Sequence, residues 1–120
     1  MRGLTIFIAD VSPVRFRAAL GVAASQAALG GKVRIFLSGE AVDLIRAPVE
    51  GWDDNDYAAI GQPDLSTLYD EALEGSVGFI VCQTGMALCR ARMSDFDARV
   101  EAGGMVSLLA TLGDDHLLTF

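Results

Sequence analysis

Leu4-Thr5-Ile6-Phe7-Ile8-Ala9 is nearly continuously apolar and dominated by β-branched and aromatic side chains. A strand wetted on one face alternates polar with apolar residues, whereas this run reads as a strand buried on both faces. Asp10-Val11-Ser12-Pro13 comes next, where Ser12 suits a helix N-cap and Pro13 the first helical turn. The helix is expected to reach Leu29, with Phe16, Leu20, Ala23 and Ala27 along one side, before Gly30-Gly31 stops it. Val33-Arg34-Ile35-Phe36-Leu37 supplies a second strand. Two strands joined by a helix form a βαβ unit, which implies parallel pairing and a right-handed crossover.

The pattern continues downstream. Ser38 can cap a short helix from Gly39 to about Arg46. Ala47–Pro63 has no clear period and is expected to be a functional loop or to hide a short edge strand. Leu65, Leu68, Tyr69, Ala72 and Leu73 recur at helical spacing up to Gly75. Val77–Cys82 is the next buried strand and Thr84–Ala91 the next helix. A polar turn with Ser94, Asp95 and Asp97 precedes a helical stretch, Met105–Leu112. Gly113-Asp114-Asp115 then turns the chain into a last strand, His116–Phe120. The expected fold class is therefore α/β, a three-layer α/β/α sandwich around a parallel sheet of four to five strands, built as a single domain over residues 1–120.

Composition narrows the function classes. Hydrophobic residues make up 52% of the 120-residue chain, and the mean hydropathy is +0.39. That exceeds the usual apolar share of about 45–50%, and an oligomer interface is the expected home for the surplus. No apolar run approaches the ~20 residues of a membrane span. A net charge of −7 argues against nucleic acid and anionic membranes as partners. Glu50, Asp53, Asp54, Asp56, Asp64, Asp70, Glu71 and Glu74 fall in a stretch, Ala47–Cys89, that holds no Lys or Arg. This is either an acidic face for a basic partner or an ordinary solvated face. Leu4–Ala9 is too short for the apolar core of an export leader, so the two cysteines are expected to be reduced thiols in the cytoplasm.

In a parallel α/β sheet, ligands gather beyond the carboxyl ends of the strands. Attention therefore falls on Asp10 and Ser12, on Ser38 and Gly39, and on Cys82 through Met86. Cys82 closes a strand, and Gln83-Thr84-Gly85-Met86 then turns into a helix. Unpaired amide N–H groups at a helix start favour a thiolate. The alternative is a structural cysteine buried in the core. Cys89 is seven residues on, a separation of about 10.5 Å along an ideal helix, too far for an internal disulfide without unwinding. His116, the only histidine, begins the last strand, at the end of the sheet opposite Cys82, which argues against a Cys–His dyad. Two cysteines and one histidine make no zinc pattern. Asp10-Val11-Ser12-Pro13-Val14-Arg15 lacks the glycines of a phosphate loop, and Gly30-Gly31-Lys32 ends a helix where a P-loop would begin one. No cofactor and no metal are expected.

Val81-Cys82-Gln83-Thr84-Gly85-Met86-Ala87-Leu88, followed by Val100-Glu101-Ala102-Gly103-Gly104-Met105-Val106-Ser107 and a short terminal strand, resembles the DsrE/DsrF-like family. The opening strand and its Ala-rich helix agree with that resemblance. The family includes sulfur-relay subunits of bacterial thiouridine synthesis and of dissimilatory sulfur oxidation. The resemblance implies a five-stranded parallel sheet, so a fifth strand should lie in Ala47–Pro63 or near Gly103–Leu112. It implies homo-oligomers, often trimers or hexamers, and sulfur-donor and acceptor proteins as partners. It also implies that Cys82 accepts a persulfide sulfur, that Thr84, Gly85 and Met86 cradle it, and that Gly103 and Gly104 allow close packing nearby. The expected function is thus that of a small cytoplasmic sulfur carrier or persulfide sulfurtransferase. The alternatives are a non-catalytic oligomeric ligand-binding or assembly module and a thiol redox sensor.

Overall fold

The computed structural model describes residues 1–120. Five strands form one sheet: β1 (Leu4–Ile8), β2 (Val33–Leu37), β3 (Gly78–Cys82), β4 (Glu101–Gly103) and β5 (His116–Thr119). Their order across the sheet is β4-β3-β2-β1-β5, and every neighbouring pair is parallel. The helices are α1 (Pro13–Ala28), α2 (Asp54–Ala59), α3 (Leu65–Glu74), α4 (Gln83–Leu88) and α5 (Met105–Ala110), with short 3-10 helices at Gly39–Ile45 and Met93–Asp95. The fold class is the α/β one expected from the unbroken apolar strands.

Ser12 does cap α1, its Oγ accepting the Arg15 amide N–H at 3.3 Å, and Pro13 opens the first turn. α1 buries Phe16, Ala19, Leu20 and Ala23, and α3 buries Leu65, Tyr69, Ala72 and Leu73. These two helices pack on each other. Under them lie the strand side chains Ile6, Ile8, Ile35, Leu37, Phe79 and Val81, all essentially without solvent exposure. Burying this many aliphatic and aromatic groups, each contributing about 1.5–3 kcal/mol, is the main force holding the fold.

The fifth strand is β4, at the start of the second place anticipated for it. Ala47–Pro63 holds no strand; its regular part is the helix α2, which buries none of its own residues. That absence of an apolar stripe is why no period shows in the sequence. Side-chain bonds to Arg17 hold the segment in place. Arg17 donates to the Pro63 carbonyl at 2.9 Å, pairs with Asp54 at 3.3 Å and stacks 3.6 Å over the Tyr57 ring. α4 ends at Leu88, earlier than the expected Ala91, because Arg90 takes a positive φ of 52°.

Coverage of the two faces is unequal. The chain runs from β1 through β2 and β3 to β4 in one direction, so right-handed crossovers set the intervening helices on one side. Only the β4–β5 connection returns across the sheet, carrying the six-residue α5 over the other face. There, Phe7 stacks on Phe36 at 5.6 Å but stays half-exposed. Arg34 pins this thin layer. Its Nε donates to Thr5 Oγ1 at 2.9 Å, one Nη to Thr111 Oγ1 at 2.7 Å and the other to the Leu108 carbonyl at 3.0 Å. Thr5 passes its own hydroxyl proton bond to Asp115 at 2.9 Å. Arg34→Met, which keeps the stem and removes these donors, is expected to lower stability by about 1–3 kcal/mol in urea unfolding. An unshifted midpoint would show that α5 stays docked without them.

Candidate functional site

Cys82 is the last residue of β3 and the N-cap residue of α4. Its backbone is extended, with φ −68° and ψ 129°, so the chain turns from strand to helix at this position. β2 ends next to it, because Leu37 pairs with Val81 one residue earlier. The 3-10 helix after β2 therefore starts beside the sulfur. Gly39 opens that helix with φ 57°, a left-handed conformation natural to glycine. Gly85 lies against it, and a Cβ there would collide with the Gly39 carbonyl oxygen and crowd Val42 at 2.9 Å.

This packing sets the electrostatics of the thiol. Burial pushes Cys82 up, since only 9% of the residue is exposed. The amide N–H groups of Gly85, Gly39 and Thr84, with the Thr84 hydroxyl, oppose it, and the net result is a thiol held below its ordinary value. No formed side-chain capping bond closes from the sulfur onto α4; the donors converge on the anion as oriented dipoles. Their sources are separate in sequence, one at the end of β2 and two in the first turn of α4.

Cys89 has the opposite environment. Burial raises it first and the Asp43 carboxylate raises it further, so it is held as a neutral thiol. It is the C-cap residue of α4, and its carbonyl accepts Arg46 Nη2 at 2.8 Å. Arg46 also pairs with Asp43 at 3.0 Å and Asp95 at 3.6 Å, tying the Gly39–Ile45 helix to the end of α4. Both cysteines are free. His116 pairs with Leu4 at the opposite end of the sheet, on a strand three places from β3, so no imidazole serves Cys82.

The sequence profile of the DsrE/DsrF-like family matches residues 5–120. The chain belongs to the DsrE/DsrF-like family. Among solved structures it is similar to the ychN protein from E. coli, at 21% identity and a TM-score of 0.69, with 100% of each chain covered. At that identity the likeness shows a shared fold. A search among curated proteins gives no match.

The expected pocket of this DsrE/DsrF-like chain is only partly assembled around the sulfur. Gly39, Thr84 and Gly85 supply its amides, and Gly103 is the backbone register partner of Cys82. Met86 is half-buried against the core and Gln83 is exposed. Ser38 gives no side-chain cap, and its amide donates to the Ile8 carbonyl at 2.9 Å. Asp10 and Ser12 sit beyond β1, two strands away: Asp10 pairs loosely with Arg15 at 3.9 Å, and Ser12 is spent on capping α1. Gly103 and Gly104 also line a groove of ≈ 330 Å³ beside Arg34, Ile80 and Leu108 on the thinly covered face. Residues that sequence reasoning passed over are Arg46 and Asp43, whose placement depends on a 3-10 turn with no sequence period.

Thiolate is the species that alkylates, so reaction rate rises with pH through the thiol's pKa. The Cys82 midpoint for iodoacetamide is expected below the ordinary ~8.5, and the Cys89 midpoint above it. Thr84→Val should move only the Cys82 midpoint upward. Equal midpoints, read by mass spectrometry of the labelled peptides, would show that the amides do not act on the sulfur.

Proposed function

We propose that the protein is a sulfur carrier that holds a transferable sulfur as a persulfide on Cys82. The observation that carries this reading is the placement of Cys82 at the junction of β3 and α4, against the turn at Gly39, where the Gly85, Gly39 and Thr84 amides oppose the burial of its thiol. In the first step the Cys82 thiolate attacks the outer sulfur of a donor persulfide, R–S–SH. The donor S–S bond breaks, R–S⁻ leaves, and Cys82–S–SH forms. An acceptor thiolate then attacks that outer sulfur and releases the Cys82 thiolate. Sulfur moves with no net oxidation, so neither step needs a cofactor or a histidine base. The same amides favour Cys82 as nucleophile in the first step and as leaving group in the second. Family membership supports this reading at the level of sulfur-relay proteins, and a reducing cytoplasm is the setting that suits it.

The test is intact-mass spectrometry after incubation with polysulfide. A gain of one sulfur atom is expected for the wild type and for Cys89→Ala, and its loss in Cys82→Ala. A stable gain of one oxygen atom with peroxide, without sulfur loading, would favour a redox sensor instead. No adduct at all would leave a binding module.

The thinly covered sheet face supports a homo-oligomer, the trimer or hexamer expected of such a chain. Leu117 on β5 shares that face with Thr5, its register partner, and is 43% exposed. Val106 and Leu109 on α5 are exposed as well. Light scattering coupled to gel filtration is expected to give a mass above the monomer, and Leu117→Glu to shift it downward. A monomeric wild type would refute this assembly.

A further inference from the structure

A second concavity owes nothing to the sulfur chemistry. It is a groove of ≈ 460 Å³ between the Ile45–Glu50 segment, the first turns of α3 and Asp97. Tyr69 lines it while being only 4% exposed, and the Tyr69 Oη is buried with no hydrogen-bond partner. The ring sits edge-on against Phe79, 4.9 Å between centroids. Burial, and then the Asp97 carboxylate, keep it protonated. A buried polar atom left unpaired is unfavourable, and a ligand able to bond it would recover that loss.

The carboxylates around it differ in what they still offer. Asp54 is occupied by Arg17 and by the Gly51 and Leu65 amides. Asp97 is engaged by Arg99 through both oxygens, at 2.9 and 3.1 Å. Asp64 uses one oxygen on the Thr67 amide, and Asp70 and Glu50 have no partner in the fold. Two arginines of the fold are thus spent on Asp54 and Asp97, while Asp70 and Glu50 keep both oxygens free and Asp64 keeps one, leaving uncompensated carboxylates that compact ammonium charges can meet singly. No three metal-ligating side chains come close enough to hold a metal ion. Between the carboxylates, Ile45, Pro48 and Val49 add an apolar wall. Ammonium groups joined by methylenes match this alternation of wall and charge.

We infer that the groove beside Tyr69 binds an aliphatic di- or polyamine, with ammonium groups on Asp70, Glu50 and Asp64 and one N–H donated to the Tyr69 Oη. The chain of the ligand lies along the Pro48–Val49 wall. This site is independent of Cys82.

Calorimetric titration of the full chain with spermidine at low salt tests it. One-site binding is expected, weakened by about tenfold in Asp70→Asn and several-fold in Tyr69→Phe, which keeps the ring contact with Phe79. Cys82→Ala and Asp114→Asn, a carboxylate removed elsewhere on the surface, should bind as the wild type does. Absence of binding overturns the inference. So does equal weakening in Asp114→Asn, or displacement of spermidine by magnesium ion at matched charge, since either would mean diffuse attraction to an acidic protein. Full affinity in Tyr69→Phe would overturn the assigned pose. Asp70 is exposed, so its variant reports even if the Tyr69 variant folds poorly.

Discussion

The contact between Gly85 and the Gly39 backbone decides where the functional corner of this molecule lies. With no Cβ at position 85, α4 settles directly on the turn that follows β2. The backbone amides at 39, 84 and 85 then face one sulfur atom from two directions. Arg46 braces the arrangement from behind, joining Asp43, Asp95 and the Cys89 carbonyl across three segments. A side chain at position 85 would separate these parts and leave the thiol with burial alone.

Two thiols at opposite ends of one six-residue helix show how local the control is. Both are desolvated, and desolvation raises both. At the N-terminal end amide donors reverse the direction. At the C-terminal end a carboxylate adds to it. The sign of the outcome is set by which polar groups face the sulfur, and burial fixes only how strongly they act.

β1, β2 and β3 were legible in the sequence because each is a short, nearly unbroken apolar run, the mark of a strand buried in a parallel sheet. The same rule placed the end of β2 next to the end of β3, so Gly39 could be anticipated near Cys82. It also drew in Asp10 and Ser12, which share the end of the sheet but lie two strands away. β4 was hard to read because Glu101-Ala102-Gly103 has three residues and no buried side chain. α2 was invisible for the same reason: its order comes from Arg17, in a different helix, and such a long-range partner leaves no local period. Tyr69 was visible as part of the apolar stripe of α3. That its hydroxyl would be left unpaired depends on the loop folded over it.

β4 is also the strand next to the sulfur. It forms the outermost rung of the sheet, held on one side only, with Gly103 alongside Cys82. Short edge strands open locally at a small fraction of the cost of unfolding the whole domain. Breathing of this rim would admit a bulky visitor to an atom that the resting fold nearly encloses. The amides that tune the thiol lie on the other side of it, on α4 and the turn after β2, away from this rim.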